Sequence, residues 1–67
     1  MASAWVLQIF RAQAAEGGVV RRSTYDVHRN DAFDEIIEYA RERQFHVIET
    51  GQQIVILCHE GDLVIHC

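Results

Sequence analysis

Between residues 31 and 44, Phe33, Ile36, Ile37 and Ala40 make an apolar stripe at the i, i+3, i+4, i+7 spacing of one face of a helix. Asn30 or Asp31 supplies a cap for its start. Asp34 and Glu35 put negative charge in the first turn, and Arg41 and Arg43 put positive charge in the last, as the helix dipole favours. Elsewhere the pattern reads as strands. Residues 4–11 (Ala-Trp-Val-Leu-Gln-Ile-Phe-Arg) are rich in aromatic and β-branched types and predict a first strand. Residues 12–18 lose that character, as strand extension or helical turn, and end at the turn pair Gly17-Gly18. Residues 19–28 predict a second strand, alternating best in its later half. Three short strands follow at 45–49, 53–58 and 63–67, separated by Thr50-Gly51-Gln52 and Glu60-Gly61. The expected fold is a small single α+β domain over residues 1–67, with 1–3 outside its ordered body. Its order is β-β-α-β-β-β, with a mainly antiparallel sheet and one amphipathic helix packed on one face.

Residue parity in the last three strands is the most informative part of the pattern. If Glu60-Gly61 forms a two-residue hairpin turn, one face carries Ile54, Ile56, Cys58, Leu63, Ile65 and Cys67. Phe45 and Val47 join it through a turn at Thr50-Gly51 or Gly51-Gln52. This wholly apolar face is where the helix stripe should pack. The other face carries Ile48, Val55, Leu57 and Val64 among His46, His59 and His66. A sheet face open to water normally alternates to polar residues, and four aliphatics there form a patch that needs cover. The first two strands could fold over it, or a second copy of the chain could dock on it.

Size favours the second cover. A chain of 67 residues buries only roughly 60% of its unfolded surface, and its core nets about 3–5 kcal/mol. Small domains usually add disulfides, a metal or a partner subunit. Cys58 and Cys67 fall on one face about four residue steps apart, on the order of 13 Å, too far to be bridged. They are expected to be reduced, with an intermolecular bond through Cys67 as the alternative.

Charge and candidate chemistry add few constraints. The net charge is −4, and all six basic residues are arginine, a usage that fits a GC-rich bacterial genome. Residues 1–30 carry four arginines against two acids, a net of +2, whereas residues 31–67 carry two against eight, a net of −6. Arg11, Arg21 and Arg22 could therefore form a local patch. With Trp5, Phe10 and Tyr25 to stack bases, they define a single-stranded nucleic-acid binder as an alternative, which the acidity of the whole chain disfavours. His46, His59 and His66 share a face and define a ligand or metal sensor as a further alternative. Under a Thr50-Gly51 turn, His46 and His66 would flank Val55. Adjacent strand residues such as Cys58 and His59 point to opposite faces and cannot chelate together, so no metal or other cofactor is expected.

Asp26 and Asp31 near His28 resemble acid–base pairs, but Asp31 is more simply a helix cap, and no glycine-framed elbow surrounds Ser23. Gly17-Gly18 lacks the spacing of a phosphate loop. No catalytic residue is assigned. The longest apolar run, residues 54–58, is too short to cross a membrane, and no secretory signal pattern is present. Together with the unpaired cysteines, this predicts a cytoplasmic setting. The reading is a non-enzymatic interaction module that forms a homodimer, with an unidentified protein partner also open. Its interface is expected to comprise Ile48, Val55, Leu57 and Val64, with His46 and His66 at the rim. Histidines at such a seam would weaken association as they take up protons.

Overall fold

The computed structural model describes residues 3–67, and of residues 12–16 the backbone alone. Six elements follow in order: α1 (Ala4–Glu16), β1 (Val19–Ser23), α2 (Thr24–Arg29), α3 (Phe33–Glu42), β2 (His46–Glu49) and β3 (Gln53–Leu57). The fold is α+β, with one antiparallel sheet in the order β1-β3-β2. The element order is α-β-α-α-β-β, where β-β-α-β-β-β was expected, and three helices share the work assigned to one. Among the described residues no helix is long and apolar enough to cross a membrane.

The predicted first strand is instead α1. Val6, Ile9 and Phe10 are spaced for one face of a helix, and all three are buried. Their packing outweighs the strand propensity of the individual residues. Ser3 starts the helix: its Oγ accepts from the Val6 N–H at 3.4 Å and its carbonyl from the Leu7 N–H at 3.0 Å. The Ser3 N–H in turn donates to Glu35 Oε2 on α3 at 2.7 Å. Residues 12–16 continue the helix, and Gly17 ends it in the left-handed region at φ +67°, where only glycine sits without strain.

The predicted second strand is cut short at Ser23. That residue is extended (φ −66°, ψ 145°), and its side chain accepts from the Asp26 N–H at 3.0 Å, so it caps a helix and stops a strand. The short α2 that follows buries Val27. Helix α3 occupies the predicted span and buries Ile36 and Ala40 from the predicted stripe. Its cap is Ala32, which makes no side-chain cap bond. Asn30 and Asp31 belong to the preceding turn, with Asp31 at φ 51°.

After α3 the Phe45 N–H bonds to the Ala40 carbonyl at 2.9 Å and the Gln44 N–H to the Arg41 carbonyl at 3.1 Å. This is the paired closure of a helix end, with Gln44 left-handed at φ 61°. A left-handed non-glycine residue costs about 1–2 kcal/mol, partly offset because glycine loses about 0.5–1 kcal/mol more freedom on folding. Gln44→Gly should therefore stabilise the fold by about 0.5–1 kcal/mol, raising the thermal midpoint by a few degrees in calorimetry. An unchanged or lowered midpoint would show that the Gln44 side chain itself supports the fold.

In the sheet, Val20, Ile56 and Val47 form one cross-strand row. Val20, Ile54, Ile56 and Cys58 are buried with Val6, Ile9, Phe10, Val27, Ala32, Ile36 and Ala40 in a single cluster, against which Trp5, Phe33, Tyr39, Phe45 and Val47 pack. All three helices thus cover one face. Phe10 lies at its centre, stacked on Tyr39 at 4.3 Å between ring centroids. Pairing of Glu49 with Ile54 fixes the turn as Gly51-Gln52, with the Thr50 Oγ1 accepting from the Gln53 N–H at 3.0 Å.

The strand predicted at 63–67 does not form. Its expected place beside β3 is held by β1, which pairs from Val19↔Leu57 to Ser23↔Gln53, while β2 holds the other side. Residues 62–67 have no regular secondary structure. Leu63 and Ile65, predicted in the core, are 40% and 77% exposed.

Candidate functional site: the open face of the sheet

The face turned away from the helices is built by strand alternation. Its rows are Val19–Leu57–His46 and Arg21–Val55–Ile48, with Ser23 beside Gln53 at the far end. Val19 is 51% exposed and Ile48 36%, while Val55 and Leu57 on the central strand are half-buried between their neighbours. Arg21 is the one formal charge among these eight residues. None of the eight belongs to the buried cluster. The alternative cover, by the first two predicted strands, does not occur, since α1 packs on the opposite side and β1 lies within the sheet.

The predicted interface residues thus separate into two groups. Ile48, Val55, Leu57 and His46 come together on this face. Val64, 67% exposed, and His66, also exposed, lie beyond the sheet on the irregular segment after β3. His46 sits opposite Leu57, not beside Val55 as a Thr50-Gly51 turn would require. A ring nitrogen of His46, Nε2, is hydrogen-bonded to the Gly61 carbonyl, and its ring meets that of His59 edge-on at 5.7 Å. This contact fixes residues 59–61 against the start of β2. Among the described residues no group of three or more His, Cys, Asp or Glu side chains is arranged to hold a metal ion.

The arginines of the nucleic-acid alternative lie apart. Arg11 is exposed on α1, on the helical side of the sheet, whereas Arg21 belongs to the open face. Arg22 alternates to the other side and donates its Nη1 to the Arg21 carbonyl at 2.8 Å. Phe10 is wholly buried and Trp5 partly so, leaving Tyr25, 71% exposed, as the freely available ring of the three aromatics.

Cys58 and Cys67 are both free thiols, the first buried and the second exposed. Burial pushes the Cys58 thiol up from its ordinary value, so it stays protonated and unreactive at neutral pH.

The structure also forms a cleft that no short stretch of the sequence specifies. It has a volume of about 450 Å³ and opens between the end of α3, the outer edge of β2 and residues 60–62, lined by Ile37, Ala40, Phe45 and Val47 with Arg41 and Asp62 among its other residues. The helical stripe and the alternation at Phe45 and Val47 were both visible. Their meeting beside an unpaired edge depends on the path of the chain after β3. Comparisons with protein-family models, with curated proteins and with solved structures return no match.

Proposed function

We propose that this chain is a non-enzymatic interaction module that forms a homodimer through the open face of its sheet. The observation that carries this reading is the aliphatic group Val19, Ile48, Val55 and Leu57 on the side opposite every helix. Burying an aliphatic side chain contributes about 1.5–3 kcal/mol when complete, and a small core leaves such a surface as a ready source of added stability. The face is nearly free of charge, as the centre of an interface requires, and His46 stands at its rim. The unpaired cysteines fit a cytoplasmic setting, and the arginine-only usage fits a bacterial one.

Sedimentation equilibrium at micromolar concentration tests the proposal. The expected result is a mass twice that of the monomer for the native chain. Val55→Glu should remain folded by circular dichroism and bind its twin at least a hundredfold more weakly, because each copy would bury an unpaired carboxylate in an aliphatic interface. A native chain that is monomeric under these conditions would overturn the reading.

A further inference from the structure

Resting on that reading, we infer that residues 63–66 of each copy add as an antiparallel strand to the outer edge of β2 in the second copy. Four observations meet here.

The first is a strand-forming segment without a strand to join. Leu63-Val64-Ile65 has strong β propensity, yet β3 has both sides occupied, by β1 and β2. Leu63, Val64 and Ile65 are consequently 40%, 67% and 77% exposed. Three consecutive exposed aliphatics are an association site wherever a free edge is within reach.

The second is the difference between the two free edges. On β1, the Arg22 guanidinium donates to the Arg21 carbonyl, and the neighbouring arginines place like charges along that edge, a common guard against strand addition. The four residues of β2, His46–Glu49, carry a single formal charge, Glu49 at the strand's end, against two adjacent arginines within β1. Their edge borders the cleft lined by Ile37, Ala40, Phe45 and Val47.

The third is alternation. In a strand laid beside β2, Leu63 and Ile65 take one side and Val64 the other. With Leu63 and Ile65 toward the cleft, Val64 falls on the open face beside Ile48. The segment then supplies both the apolar side chains for the cleft and an extension of the interface.

The fourth is area and reach. A face of three strands, each about five residues long, has a footprint of roughly 250 Å² from strand spacing and rise. Even doubled for surface relief, this falls short of the ~800 Å² per partner of a standard stable interface. Exchanged strands make up the difference. Beyond Gly61, held at His46, Asp62 leads into Leu63 over about 7 Å, so the exchange places the outer edge of β2 of the second copy within that distance of Gly61. Within its own chain the segment would leave the start of β2 and run parallel to it. On a second copy it is free to run antiparallel, the stronger pairing.

The test uses the full chain with Val64→Pro and Ile65→Pro together. At two adjacent positions, one proline must remove an N–H from the new ladder. Both side chains are exposed, so the core is untouched. Sedimentation is read beside amide hydrogen exchange at Val47 and Glu49, whose N–H groups face away from β3 in the observed register. The expected result is a folded chain whose dimer dissociation constant rises at least tenfold, with β2 amides that are protected in the native dimer becoming fast-exchanging. If the proline variant dimerises as the native chain does while Val55→Glu does not, strand exchange is overturned and the open-face reading survives. If the proline variant is monomeric and Val55→Glu dimerises normally, exchange stands and the face reading falls. Protection of the β2 edge in a native monomer would overturn both.

Discussion

Phe10→Ala is expected to leave the chain unfolded at room temperature. Phe10 is fully buried in the cluster that unites α1 with α3 and the sheet, and its ring stacks on Tyr39 at 4.3 Å and Phe45 at 6.4 Å. Truncating a buried phenylalanine costs about 3–5 kcal/mol, and the lost ring–ring geometry adds about 0.5–1.5 kcal/mol. A core of this size nets only about 3–5 kcal/mol, so one substitution removes the whole margin. Far-ultraviolet circular dichroism against temperature reads the result: no cooperative transition should remain. A sharp transition near that of the native chain would mean that α1 can detach without loss of the remaining fold. Phe10→Leu, which keeps most of the buried volume, should stay folded with a lowered midpoint.

The second large effect is a contrast between neighbours on one strand. Ile56 is fully buried, flanked across the sheet by Val20 and Val47, whereas Val55 belongs to the open face. Ile56→Glu places a carboxylate in a cluster that contains no buried polar side chain to receive it. The cost is several kcal/mol, and the chain should be unfolded. Val55→Glu, one residue away, should fold as a monomer. Circular dichroism distinguishes the two, and similar behaviour of the pair would show that strand parity is not what divides core from surface.

That parity was legible in the sequence because β2 and β3 alternate cleanly and the turn between them contains glycine. It correctly places Phe45, Val47, Ile54, Ile56 and Cys58 against the helices, and Ile48, Val55 and Leu57 away from them. Helix α3 was legible for the same reason, a stripe flanked by charges of the right sign at each end. The N-terminal third was misread because Trp5, Val6, Ile9 and Phe10 have high strand propensity as residues but helical spacing as a set. Of these, Val6, Ile9 and Phe10 become buried, and they do so against the helical side of the sheet. The boundary at Ser23 carried a local signal, Ser23 three residues before Asp26, the spacing of a helix cap. It was masked by the valines before and after it. The hairpin drawn at Glu60-Gly61 failed for a non-local reason: pairing of β1 with β3 joins residues far apart in sequence, and no short window of residues reports it. Val64 and His66 were assigned to the open face through that hairpin, so their place was lost with it.

The central position of β3 sets the order in which the molecule can come into being. Val19 finds its partner only in Leu57, and Ser23 only in Gln53. During synthesis β1 therefore emerges with nothing to pair with, and the undersides of α1 and α3 stay wet until the last described strand arrives to close the layer. Closing such a long loop slows folding. It also leaves the nascent chain exposed to misassociation until Leu57 is made, after which sheet and helices can consolidate in one step.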